Sequence, residues 1–135
     1  MIQKFRFYSK RMNKIGVVIS LKPIRNRVYV EWDDALSGTE NIDDNGILMQ
    51  STGLLDKNDK EIFEGDIVRI SMRIGKRTIT SIGAVEFDKF EGCFRIQNEL
   101  GDHYVTMFHV RYFEVIGNIY ENPELLEGVE DDTKV

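Results

Sequence analysis

The chain has 135 residues, with 18 Lys and Arg against 23 Asp and Glu and a formal net charge of -5. Its hydrophobic share of 41% and charged share of 30% are those of a globular domain, which excludes a wholly disordered chain, a collagen and a coiled-coil rod. Val and Ile together number 26 while Ala and Leu number only 10. Stiff β-branched side chains suit a pleated sheet and Ala and Leu suit a helix, so the expected fold class is mostly β.

The length predicts a single β-rich domain over residues 1–127, followed by an acidic tail at 128–135. The longest apolar run near the start, residues 15–19, has five residues. A signal peptide needs about 7 apolar residues and a spanning helix about 20, so neither is expected. A single cysteine, Cys93, forms no internal disulfide and fits a reducing compartment. The expected location is the cytoplasm of a bacterial host cell, without membrane contact.

Charge is laid out in blocks. Residues 1–30 carry eight cations and no acid, and residues 31–67 carry eleven acids and two lysines. The first block reads either as a polyanion-binding face or as a partner neutralised by the acids that follow it, since consecutive strands tend to be neighbours.

In chain order, residues 3–8 alternate, so Phe5 and Phe7 are expected on one face and Lys4, Arg6 and Tyr8 on the other. A short strand is predicted over residues 14–21 and another over 27–32, with Val28, Val30 and Trp32 facing inward. Residues 33–46, rich in acids, amides and glycine, read as a mobile acidic loop. Over residues 67–74, Val68, Ile70, Met72 and Ile74 are expected inside and Arg69, Ser71 and Arg73 outside. Gly75 and Lys76 then supply a two-residue hairpin turn. A strand over residues 78–87 follows, with Gly83 as a bulge or close-approach point. Further strands are predicted over 93–97, about 104–110 and 113–120. Residues 122–126 read as one helical turn capped by Asn122, with Pro123 at the first position. Short strands divided by Gly, Asn and Asp turns suggest a small barrel or sandwich.

Two turns stand out in the centre. Residues 56–60, with Asp56 and Asn58, have side chains that hydrogen-bond their own backbone and tolerate the left-handed region. In Glu64-Gly65-Asp66, Gly65 takes the strained dihedral and Asp66 accepts backbone amides. Gly53 is expected to end the strand before it. All five are structural turn residues in this reading, and Asp66 is a turn lock rather than a catalytic acid.

The segment LMQSTGLLDKNDKEIFEGDIV at residues 48–68, the opening KFRFYSK at 4–10 and the closing IGNIYENPELL at 116–126 together resemble the YopX family of phage and prophage proteins. Ser51, Leu55 and Asp59 depart from the residues common there. The resemblance implies an SH3-like β-barrel core and a phage or prophage setting. It implies no activity, cofactor or catalytic residue.

No chemistry-bearing motif stands against this. Asn41, Asp43, Asn45 and Gly46 imitate the start of a calcium loop, but Thr52 occupies the position that needs a bidentate Glu. His103, His109 and Cys93 are too few for a structural zinc site. No nucleophile has a base beside it in a known pattern, and no enzyme, metal or cofactor is expected. What remains is a surface. Lys4, Arg6 and Tyr8, with Arg25, Arg27 and Tyr29, mix cations and phenols on strands expected to be neighbours, as small barrels do when they bind single-stranded nucleic acid. The leading expectation is a non-enzymatic interaction or adaptor module that binds a protein partner or its own copies. The alternative is a nucleic-acid accessory factor acting through the basic N-terminal strands.

Overall fold

The computed structural model describes residues 4–33, 36–98, 101–106 and 109–127. They form eleven strands and one short helix: β1 Phe5–Ser9, β2 Lys14–Lys22, β3 Arg27–Glu31, β4 Ser37–Asn41, β5 Gly46–Leu55, β6 Glu61–Phe63, β7 Asp66–Ile74, β8 Arg77–Asp88, β9 Cys93–Asn98, β10 Gly101–Tyr104, β11 Phe113–Asn118 and α1 Glu124–Glu127. The mostly-β expectation is met, and the strands pair into two antiparallel sheets, in the orders β4-β3-β2-β1-β5-β6 and β10-β9-β8-β7-β11. The pairings among the described residues run from edge strand to edge strand and close no barrel. Among the described residues no helix is long and apolar enough to cross a membrane.

Where the length predicts one domain, the chain divides into two compact units, Met1–Ser51 and Thr52–Val135. The first is an antiparallel array built on the expected alternation. Val28, Val30 and Trp32 are buried with Phe7, and Met12, Val18, Ile42 and Leu48 pack against them. Phe7 lies opposite Gly16 on β2 and Leu48 on β5, so one face of the array makes this core.

The expected loop at 33–46 is corrected here, because residues 37–41 form β4, which pairs along β3 from Arg27↔Asn41 to Glu31↔Ser37. Its polar sequence conceals a strand because an edge strand with one solvated face needs little apolar content. The side chain of Asp43 accepts the Asn45 amide at 2.8 Å, which builds the turn into β5.

In the second unit Ile62, Val68, Ile70, Val85, Ile96, Val105 and Phe113 form the core. Gly83 is a close-approach point without a bulge: it lies opposite Val68 in unbroken register, and a Cβ there would stand 2.5 Å from Ile96 Cγ2. The strand expected over about 104–110 is instead the end of β10 followed by a 3-10 turn at Val110–Tyr112. Asn122 lies before α1 but turns its side chain back, accepting the Asn118 amide at 3.2 Å. The acidic tail at 128–135 lies outside the described residues.

Side-chain hydrogen bonds hold the central turns. Asp56 Oδ1 accepts the amides of Asn58 (2.8 Å) and Lys60 (2.9 Å), and Oδ2 accepts that of Val115 on β11 (2.8 Å). Asp59, not Asn58, takes the left-handed conformation, with φ 63°. Gly65 has φ 88°, and buried Asp66 accepts the Phe63 amide at 2.8 Å. Gly53 is corrected: it does not end a strand but sits inside β5 with φ 80°. The strand continues because the Thr52 hydroxyl beside it donates to the Ile62 carbonyl at 2.8 Å.

Candidate interaction surface

The outer face of the first unit is set by register, since residues directly opposite each other share a face. Arg6 lies opposite Val17, and Tyr8 opposite Ile15. Val17 in turn lies opposite Glu31, Ser20 opposite Tyr29, and Lys22 opposite Arg27. Register therefore puts Arg6, Tyr8, Arg27 and Tyr29 on one face, but β2 lies between β1 and β3, so the strands expected to be neighbours are not. The same face continues across β4 through Asn41, Thr39 and Ser37.

Burial divides that set. Tyr8 is expected outside but is only 7% exposed, and its hydroxyl donates to Asn13 Oδ1 at 2.6 Å. It ties down the β1–β2 turn and is closed to a ligand. Arg6 is half-buried, and its neighbour on β5, Met49, is buried. Lys4 is exposed just before β1. At the other end, Lys22 and Arg27 lie opposite each other and Arg25 stands in the 3-10 turn between them, all three exposed. Tyr29 is half-open, with its hydroxyl 2.7 Å from Ser37 Oγ. The six residues thus do not form one cationic stacking platform: β1 contributes little, and the cations concentrate where β2 turns into β3.

Arg11 shows the competing fate of the basic block. Its guanidinium lies 3.3 Å from the Glu40 carboxylate, so one early cation meets an acid from the following block.

The outer face also holds residues that the motif search passed over. Val17 is 61% and Ile19 57% exposed. The register shifts between Val18 and Ser20, leaving Ile19 as the extra residue of a β-bulge. A bulge re-aims a side chain and bends its strand, and here it projects an isoleucine into solvent. Below Val17 lies a depression of about 300 Å³ lined by Ile15, Gly16, Val17, Glu31, Trp32 and Asp33. Gly16 lies on the core side of β2, where a Cβ would stand 2.4 Å from Val30 Cγ1 and 2.7 Å from Trp32 Cε3, so its missing side chain lets Val30 and Trp32 pack close against the strand. The sequence signal was the unbroken apolar run at residues 15–19. It reads as a strand but cannot say which side chains a bulge turns outward.

The other residues considered for chemistry lie apart from this face. His109 Nδ1 is 3.0 Å from the Tyr104 carbonyl and 3.1 Å from Thr106 Oγ1, a local turn contact. Cys93 opens β9 and is half-buried. Among the described residues no group of three or more His, Cys, Asp and Glu side chains is placed to hold a metal ion.

Comparison with known proteins agrees with the architecture. The crystal structure of protein EF1440 from Enterococcus faecalis is similar to this chain with 29% sequence identity and a TM-score of 0.66, covering 93% of this chain and 99% of that one. Among curated proteins no match was found. The family model for the YopX protein matches residues 4–127, which takes in every strand from β1 to β11 and ends with α1, and the chain therefore belongs to the YopX family.

Proposed function

We propose that the protein is a non-enzymatic interaction module of a phage or prophage, acting in the bacterial cytoplasm. Its outer β2–β3 face docks a protein partner that presents apolar and acidic side chains. The observation that carries this reading is the exposed pair Val17 and Ile19 on β2, with Ile19 the extra residue of a bulge. Exposed aliphatics grouped on a sheet face mark contact surfaces, and Lys22, Arg25 and Arg27 at the end of the same strands favour an acidic rim on the partner. The phenols that would stack the bases of a single strand are reduced on this face to Tyr29, because Tyr8 is buried. The five-stranded sheet of the second unit is, in this proposal, the counterpart of the SH3-like core that the family resemblance implies, serving as scaffold.

The test immobilises the wild-type chain and Val17→Asp/Ile19→Asp and compares what each retains from host extract and from its own purified form. Capture by the wild type and its loss in the variant support the reading. A wild type that retains nothing, or a variant that retains the same partner, contradicts it.

A second reading, polyanion binding, draws on the Lys22, Arg25 and Arg27 cluster alone. Lys22→Gln/Arg27→Gln would then abolish salt-sensitive binding of single-stranded DNA, while the aspartate variant would retain it.

A further inference from the structure

A different surface in the second unit carries its own inference. From Ile67 to Val85 the chain has four cations, Arg69, Arg73, Lys76 and Arg77, and no Asp or Glu. These residues belong to β7, β8 and the turn between them, and the two strands pair without a break from Ile67↔Ala84 to Ile74↔Arg77. Their neighbours stop short. Strand β11 reaches β7 only as far as Phe113↔Ile70, and β9 reaches β8 only from Val85↔Ile96 onward. Residues 71–74 and 77–80, with the turn at 75 and 76, therefore extend past both neighbours as a two-stranded ribbon. Four residues of strand give it a length of about 13 Å, and at its root Met72 still packs against the core.

The two faces of this ribbon differ. Arg73 lies opposite Thr78 and Ser71 opposite Thr80, and the last two hydroxyls are 3.4 Å apart. This face offers guanidinium and hydroxyl groups. On the other face Met72 lies opposite Ile79 and Ile74 opposite Arg77, continuing the apolar row of buried Ile70 outward to the tip, where Ile74 is 58% exposed. Arg69, at the base, is paired with Glu114 at 2.9 Å. Arg73, Lys76 and Arg77 are exposed, and among the described residues none of the three forms an ion pair. Arg73 Nε contacts only the Gly75 carbonyl, at 3.3 Å.

The geometry points to double-stranded DNA as the occupant of this ribbon. The major groove is about 12 Å wide and about 8.5 Å deep and admits a two-stranded antiparallel ribbon. A projecting ribbon that has lost all acids over nineteen residues and places its cations at the tip matches the charge of the two phosphate rows flanking that groove. Arg73, Lys76 and Arg77 contact phosphates, the Ser71, Thr78 and Thr80 hydroxyls face base edges, and Ile74 makes an apolar contact at the tip. The chain then joins a protein surface on its first unit to a duplex on its second. The ribbon shares no residue with the proposed protein-docking face, so either assignment can fail without the other.

Fluorescence anisotropy with a labelled duplex of about 20 base pairs and the matching single strand, across a salt series, tests the assignment. Three phosphate contacts predict a slope of log affinity against log salt of about -2.7, or a loss of about 40-fold between about 50 and 200 mM salt. Arg73→Gln/Lys76→Gln/Arg77→Gln is expected to weaken duplex binding by more than about tenfold and to flatten the slope. Because all three side chains are exposed, its thermal unfolding should match the wild type, and single substitutions of each serve if the triple variant does not fold. Lys22→Gln/Arg27→Gln, in the first unit, should bind duplex as the wild type does. The assignment is overturned by no duplex binding at low salt, by equal binding of the single strand, by a ribbon variant that binds normally, or by loss of binding in the Lys22/Arg27 variant.

Discussion

The two units use their polar residues differently. In the second, side chains at four turns reach back to backbone amides. Asp56 holds three, Asp66 one, Asp88 those of Phe90 and Glu91 at 2.9 and 3.3 Å, and Asn118 those of Tyr120 and Glu121 at 3.0 and 2.8 Å. All four residues are buried. In the first unit the described turns use single contacts, Asp43 accepting the Asn45 amide at 2.8 Å, Ser9 the Met12 amide at 3.2 Å and Tyr8 reaching Asn13, and aliphatic side chains are left in solvent on β2. The second unit fixes its turns with several buried polar side chains that each hold backbone amides, while both units keep aliphatic side chains in solvent, Val17 and Ile19 on β2 and Ile74 on β7. Buried carboxylates that accept several amides are costly to replace, whereas exposed side chains are nearly neutral for stability and open to selection for binding.

The largest effect that would sharpen this contrast is at Asp56. Asp56→Ala strands three amides, two in its own turn and one on β11, and should destabilise the protein by about 3 kcal/mol or more in urea unfolding. A loss under about 1 kcal/mol would remove the second unit's claim to be held by its turns. In the first unit the comparable sensitivity is steric. A Cβ at Gly46 would clash with the Phe7 ring and the Asn41 carbonyl, so Gly46→Ala should cost about 2 kcal/mol through displacement of the Phe7 core, read by the same unfolding experiment.

Smaller effects follow at the surface and in an unpaired hydroxyl. Val17→Ser/Ile19→Ser should leave stability within about 0.5 kcal/mol of wild type while removing protein capture. A large loss of stability would mean that these side chains belong to the fold after all. Smallest is Ser81→Ala. The Ser81 hydroxyl is buried without a hydrogen-bond partner, opposite Ile70 in the core-facing row, so its removal should be neutral or raise stability by up to about 1 kcal/mol. Destabilisation beyond about 1 kcal/mol would show that this hydroxyl is bonded in solution.

Much of the fold can be read from residue order. Alternation places Val28, Val30 and Trp32 in one core and Val68 and Ile70 in the other, because a half-buried strand shows its period directly. The Asp56 and Asp66 turns are legible because their turn chemistry is local, a carboxylate two to four residues from the turn amides it accepts, whereas the Asp56 contact to Val115 on β11 is not. Strand β4 was hidden since Ser-Gly-Thr-Glu-Asn has no apolar period to betray an edge strand. Gly53 misled because positive φ marks a turn more often than a kink inside a continuing strand. Ile74 follows the inward period of its strand yet is exposed, since the sheet that would bury it ends at Ile70.

The surfaces were harder to read than the cores. The basic block at residues 1–30 was visible as charge. Only the register shows that Tyr8 is closed off, that Arg11 meets Glu40, and that a bulge lifts Ile19. The acid-free ribbon of β7 and β8 was present as three strand cations and Lys76 in the turn between them, but its projection depends on where β9 and β11 stop, which no local pattern encodes.

The central claim is that the outer β2–β3 face, and not the turn-locked second unit, contacts a protein partner. The most direct test is photocrosslinking, with a photoreactive residue replacing Ile19 in one variant and Lys57, exposed in the Asp56 turn, in another. Adducts formed from position 19 and not from position 57 are the predicted result. Adducts from position 57 alone, or none from position 19 under conditions where the wild type retains its partner, would contradict the account.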